Sequence, residues 1–314
     1  MSIKENFIKD FVRATERAAY GASLFKGKND KISADRAAVN EMRKHLNTIK
    51  MKGRIVIGEG ELDEAPMLYV NEEVGVNSGD ELDIAVDPLE GTNFIAKNLP
   101  NALSVMAIAN KGNLLQAPET YMEKIAIGPN LPKNLLDLDF GIKKNIELLA
   151  EAKNAKPKDL TVCLLKRERH DKIVNELKSM DVKINFISDG DVSGAISVGI
   201  KDFNIDMYVG IGGGPEGVLA AAALECLNCQ MQTRLIFDDN VQKQRANLLG
   251  ITDLDKKYSI SDMVKGDVIF CATGVTDGEL VKGIKDLGNN FLAETLALHK
   301  STKTNKIFKN IIKK

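Results

Sequence analysis

An apolar run that stops abruptly at a pair of acids sets the first constraint on this chain. Asp83-Ile-Ala-Val-Asp87 reads as a strand that delivers Asp87 at its carboxyl end. Pro88 stiffens the turn that follows, and Gly91 lets the backbone approach a ligand closely. Glu90 stands three residues after Asp87, and Thr92 adds a hydroxyl. A helix starting near Thr92 would point its N–H groups at the same spot and favour an anion. Carboxylates that hold hard cations, beside N–H groups that hold phosphate, make a metal-assisted phosphoryl-transfer site.

The elements on either side differ in texture. Phe7, Phe11, Ala14 and Ala18 recur at helical spacing. Ser33 is placed to cap a second helix whose apolar side carries Ala38, Met42, Leu46 and Ile49. After Gly53 short β-like runs follow at 54–57, 82–86, 103–109 and 124–127, punctuated by Gly, Asn and Pro. This part reads as two helices on a mostly antiparallel sheet. The polar stretch 151–158 ends near Pro157 and suggests a junction, dividing the chain into an α+β part over 1–155 and an α/β part over 156–314. In the second part, strands at 161–165, 184–187, 206–211, 267–272 and 291–298 alternate with helical stretches, which argues for a largely parallel sheet. Ligands are then expected in the loops at strand carboxyl ends. Those loops hold Arg167-Glu168-Arg169, Asp189-Gly190-Asp191, Gly212-Gly213-Gly214 and Thr273-Gly274.

Composition excludes several classes. With 44% hydrophobic and 28% charged residues in 314, the chain is an ordinary soluble globular protein. A net charge of −1 argues against a nucleic-acid binder that neutralises phosphates. Lysines 300, 303, 306, 309, 313 and 314 make the C-terminal end basic, which fits a solvated last helix or frayed tail. Four cysteines are no disulfide framework, and Cys226-x-x-Cys229 lies in an apolar helical run with no second pair to complete a zinc site. No signal peptide and no membrane-crossing apolar run is visible, so a cytoplasmic location is expected. His45, His170 and His299 lack metal spacing and are assigned surface or packing roles.

The block Asp87-Pro-Leu-Glu90-Gly-Thr92 resembles the metal-binding signature of the lithium-sensitive phosphatase superfamily. Glu90, where Asp is usual, points to the class II (GlpX-type) fructose-1,6-bisphosphatases. Segments 27–35, 55–69, 117–124, 188–192 and 210–217 are similar to that family in the same order. The resemblance implies a layered α/β/α/β/α sugar-phosphatase fold and a homo-oligomer, dimer or tetramer. It implies hydrolysis of the 1-phosphate of fructose 1,6-bisphosphate, a step of gluconeogenesis. Asp35 and Glu59 would hold one divalent ion, and Asp87, Glu90 and Glu216 another. All-oxygen ligands suit Mg²⁺ or Mn²⁺, and two ions about 4 Å apart can activate a water and stabilise the leaving alkoxide.

By the same resemblance, Thr92 with Gly91 would bind the scissile phosphate or position the nucleophile, and Asp63 would orient the attacking water. Asp63 serves equally well as a helix N-cap. Tyr121 would contact the sugar phosphate. Arg167 and Arg169 would hold the second phosphate, and Glu168 stands where the family more often has Pro. Asp189, Gly190 and Asp191 would face sugar hydroxyls, and the Gly213 backbone would touch substrate.

Two rival motifs compete. Ser188-Asp189-Gly190-Asp191 looks like the nucleophile loop of haloacid-dehalogenase-type phosphatases, but that reading leaves 55–61 and 87–92 unexplained. Gly212-x-Gly214-x-x-Gly217 fits a dinucleotide fingerprint, yet Glu216 would repel a pyrophosphate. Sedoheptulose 1,7-bisphosphate and inositol phosphates remain open as substrates, and a catalytically silent sugar-phosphate sensor is the alternative of another class.

Overall fold

The computed structural model describes residues 2–60 and 67–314. Its strands are β1 Met51–Ile57, β2 Glu73–Val74, β3 Asp80–Glu90, β4 Leu103–Asn110, β5 Tyr121–Ile127, β6 Thr161–Leu165 and β7 Lys183–Ile187. They continue with β8 Met207–Gly213, β9 Gln230–Ile236, β10 Lys257–Ser259, β11 Val268–Gly274, β12 Lys285–Asp286, β13 Asn290–His299 and β14 Thr304–Lys313. The helices are α1 Phe7–Ser23, α2 Lys31–Leu46, α3 Thr92–Ala96, α4 Gly141–Ala152 and α5 Asp171–Lys178. After them come α6 Asp191–Ile196, α7 Gly214–Cys226, α8 Asn240–Leu248 and α9 Ile260–Met263.

The chain forms two compact units, Met1–Gln116 with Val264–Lys314, and Ala117–Met263. The junction expected near 156 is therefore displaced. Residues 117–155 belong to the second unit, because β5 pairs with β8 and β9. Residues Val264–Lys314 return to the first, because β11 pairs with β4. A polar stretch marks an exposed connection, and here that connection merely joins α4 to β6.

In the first unit the strand order is β12-β13-β11-β4-β3-β1-β2, with β14 paired to β13. Only β1 and β3 run parallel, so the expectation of a mostly antiparallel sheet holds. The apolar sides of α1 and α2 supply Phe7, Phe11, Ala18, Met42 and Leu46 to a core shared with Ile55, Ile84, Ile108 and Ile269. The cap of α2 is Asp30, whose Oδ1 accepts from the Ser33 N–H at 3.0 Å, so Ser33 is the capped residue rather than the cap. The basic C-terminal end is strand β14, not a helix. Phe308 and Ile312, four residues apart and therefore on one face of the strand, both turn into apolar clusters.

The second unit's sheet has the order β10-β9-β5-β8-β6-β7. It is mixed: β6 is parallel to β7 and β8, and the other pairs are antiparallel. The alternation of strands and helices concealed β9, where Met231, Thr233 and Leu235 turn inward at every second position. Period two also splits the sheet's faces. Ile125, Ile127, Met207 and Val209 pack with Ile146 and Leu149 of α4 and Leu177 of α5. Their neighbours Met122, Lys124 and Tyr208 face the glycines of α6 and α7. Burial pushes the Cys229 thiol up to about 12, so it is a packing residue and not a reactive one.

Candidate active site

The first unit's candidate residues sit where its two parallel strands end. Ile57 of β1 lies opposite Ala85 of β3, so the chain carries Glu59 and Asp87 out at the same end of the sheet, two residues further on. Gly58 allows this exit, because a Cβ there would collide with the Leu68 carbonyl, and Glu59 N–H then donates to that carbonyl at 3.0 Å. Asp35, in the second turn of α2, meets Glu59 through their carboxyl groups. Burial raises the Asp35 carboxyl above its ordinary range, and the hydrogen bond with Glu59 partly offsets the rise.

Asp87 Oδ1 accepts from the Leu89 N–H at 3.1 Å. The register to β4 shifts between Asp87 and Glu90, so the strand is irregular where the acids leave it. Glu90 is buried. Gly91 takes the left-handed conformation at φ 80°, and a Cβ there would stand 2.7 Å from the Phe94 ring. Thr92 opens α3, as the sequence predicts. Asp63 lies outside the described residues. Among the described residues no three His, Cys, Asp or Glu side chains gather into a ready cation cage. The structure thus brings Asp35 to Glu59 and sets Asp87 and Glu90 on one strand end, while Glu216 belongs to the second unit.

In the second unit the candidate residues are held by other protein groups. Arg169 donates to the Ile211 carbonyl through Nε at 3.1 Å and Nη2 at 2.7 Å, and its guanidinium lies 4.9 Å from the centre of the Tyr121 ring. That Tyr121 ring is 46% exposed at the start of β5, so arginine and tyrosine present one accessible surface. Arg167 donates to the Ser188 carbonyl at 2.7 Å and stands 3.8 Å from Asp189. Glu168 is exposed in the turn between them. Gly190, at φ 86°, caps α6, and Asp191 begins that helix.

Asp191 is nearly buried and already engaged: the Tyr208 hydroxyl donates to Oδ1, and the Lys124 ammonium pairs with Oδ2. Glu216 turns back over Gly213, so that a Cβ on Gly213 would overlap its carboxylate. Burial raises the Glu216 carboxyl, against the pull of Lys124, and the Asp191 and Asp189 charges add to the rise. With that carboxylate at the start of α7, the glycine run offers no seat for a pyrophosphate.

Sequence reasoning gave no role to Lys124 or Tyr208, and it assigned His170 only a surface or packing role. Lys124 is fully buried; its position two residues from Met122 on the inner face of β5 was the available signal. His170 Nε2 accepts from the Ile211 N–H at 2.8 Å, so the ring is neutral and Nδ1 donates to the Leu165 carbonyl at 2.7 Å. Burial lowers its pKa, in keeping with that tautomer.

Comparison with known proteins agrees with the whole-chain motif order. The family model described as bacterial fructose-1,6-bisphosphatase, glpX-encoded, matches residues 5–312. The chain belongs to this family of phosphatases. A Haemophilus influenzae protein named fructose-1,6-bisphosphatase class 2 is 41% identical over 309 residues, covering 94% of this chain and 92% of that one. A Synechococcus protein named D-fructose 1,6-bisphosphatase class 2/sedoheptulose 1,7-bisphosphatase is 40% identical over 320 residues, with the same coverage. Among solved structures, the extragenic suppressor protein suhB of Bartonella henselae is 12% identical, covers 63% of this chain and 73% of its own, and has a TM-score of 0.35, too slight a likeness to carry an argument. No helix among the described residues of this family member is long and apolar enough to cross a membrane.

Proposed function

We propose that this family member removes the 1-phosphate of fructose 1,6-bisphosphate, giving fructose 6-phosphate and inorganic phosphate. The observation that carries the reading is the contact of Asp35 with Glu59 at the end of β1, level with Asp87. Two carboxylates in contact repel each other, so the pair fits a hard divalent ion with oxygen ligands. Asp35 and Glu59 would hold one Mn²⁺ or Mg²⁺, Asp87 and Glu90 a second, and Glu216 would be a metal ligand supplied by the second unit. Such ions lower the pKa of a bound water and neutralise charge on a leaving oxygen.

The chain's own residues do the rest. Thr92 and Gly91 orient the scissile phosphate, and Asp63 orients the attacking water. Arg169, fixed by Ile211 and backed by Tyr121, takes the distal phosphate, with Arg167 beside it. Asp189, Gly190 and the Gly213 backbone face the sugar, and Glu168 completes that rim. Because Asp191 is engaged by Lys124 and Tyr208, its part at the sugar is to support this surface. The protein works in the cytoplasm as a homo-oligomer.

The test is phosphate release from fructose 1,6-bisphosphate with Mn²⁺, with Mg²⁺ and with excess EDTA, beside fructose 1-phosphate. The reading expects turnover that EDTA abolishes and that fructose 1-phosphate does not match; no release with either metal overturns it. Sedoheptulose 1,7-bisphosphate is the second substrate to assay, because the Synechococcus relative carries both names.

A further inference from the structure

A lysine with its ammonium inside a protein needs a reason, since an unpaired buried charge costs several kcal/mol. Lys124 is 1% exposed. Its Nζ pairs with Asp191 and donates to the Gly213 carbonyl at 2.6 Å. Gly213 is thereby gripped from two sides, with Lys124 on its carbonyl and the Glu216 carboxylate over its Cα. The next amide, Gly214 N–H, is tied at 2.7 Å to the carbonyl of Thr120, the residue before the strand that carries Lys124. Gly217, one turn into α7, leaves the passage for the lysine stem; a Cβ there would come within 3.1 Å of Lys124 Cε and closer to Met122. The other end of the pair is as rigid. Asp191 opens α6 and is held by Tyr208, so one ammonium joins the start of α6 to the start of α7.

From this geometry we propose that Lys124 is a positioning residue for the reaction: it touches no substrate, and it fixes the Gly213–Glu216 turn from behind. The inference rests on the reading above, in which Gly213 faces the sugar and Glu216 is a ligand. Removing the grip lets the turn move, so the loss falls on kcat rather than on KM.

The test compares the full-length wild type with Lys124→Met and Gly217→Ala. Lys124→Met removes the charge and both bonds at similar length. Gly217→Ala displaces the stem, keeps every charge and raises helix propensity. Two readouts are taken: kcat and KM on fructose 1,6-bisphosphate, and amide hydrogen exchange at Gly213, Gly214 and Glu216. For Lys124→Met the expectation is a kcat loss of about tenfold or more, KM within threefold, and exchange at these amides about tenfold faster. Gly217→Ala moves both in the same direction by about threefold.

Exchange and kcat within twofold of wild type in a folded variant overturn the proposal, as does a rise in KM with kcat intact, which would make Lys124 a substrate contact. If Lys124→Met does not fold, Gly217→Ala decides alone. If the wild type hydrolyses no sugar bisphosphate, the functional reading fails, and the exchange rates still decide whether Lys124 holds the turn.

Discussion

The two units treat their charged candidate residues in opposite ways. In the first, carboxyl stands against carboxyl, Asp35 on Glu59, at the open end of two parallel strands. In the second, three of the candidate charges have a counterpart of protein: Asp191 has Lys124 and Tyr208, Arg169 has the Ile211 carbonyl and the Tyr121 face, and Arg167 has the Ser188 carbonyl. A carboxyl set against a carboxyl fits a cation taken from solution, and arginines braced by protein carbonyls fit recognition of a fixed anion. The lesson is that the acids of one unit and the cations of the other ask for different ligands.

Substitutions that remove one side of this contrast and spare the other should show it. The largest effect is expected at Glu59→Gln, where turnover should fall by roughly 100-fold or more while the melting temperature holds. Steady-state kinetics with saturating Mn²⁺, beside a thermal melt, measure both, and near-normal activity would remove Glu59 from the metal set. Next comes Arg169→Ala. A hydrogen bond to a charged group is worth about 1.5–3 kcal/mol, so kcat/KM should drop about 10- to 100-fold. Lysine at that position should not restore it, because the fork to Ile211 needs two donors.

Two smaller effects concern stability away from these sites. Burial would raise the Asp267 carboxyl, but donors from Ile3, Ser301, His299 and Ser2 overcome it and hold the carboxyl below its ordinary range. Its stabilising contribution is present above the ordinary carboxylate pKa and is lost as pH falls through the depressed folded value. Asp267→Asn should therefore cost about 1–3 kcal/mol at pH 7 and progressively less in acid, read by urea unfolding. Glu16 is the converse. Burial raises it to about 6, so stability falls as pH rises from the ordinary value through 6, and the penalty is complete above that. Glu16→Gln should raise stability by about 2 kcal/mol at pH 8 and by nothing at pH 4, retaining the bond from Asn310.

Much of this was legible in the chain. The run from Asp83 to Thr92 predicted a strand, a glycine turn and a helix start, and all three are present because Gly91 acts locally, but the strand runs on through Pro88 to Glu90 instead of turning at the proline. The loops with Arg167, Arg169 and Gly190 were found for the same reason. Long-range pairing was not legible. Nothing local says that 264–314 returns to the first unit, and exposed Ile307 and Ile311 on the outward positions of β14 hid its alternation. The support of the site escaped as well, since Lys124, Tyr208 and His170 gain their meaning from partners 67, 17 and 41 residues away.

The contrast between the units is tested most directly by calorimetric titration of Mn²⁺ into three proteins: wild type, Glu59→Gln and Arg169→Ala. The account predicts that wild type and Arg169→Ala bind Mn²⁺ alike, while Glu59→Gln loses at least about tenfold in affinity. Undiminished binding by Glu59→Gln would contradict it.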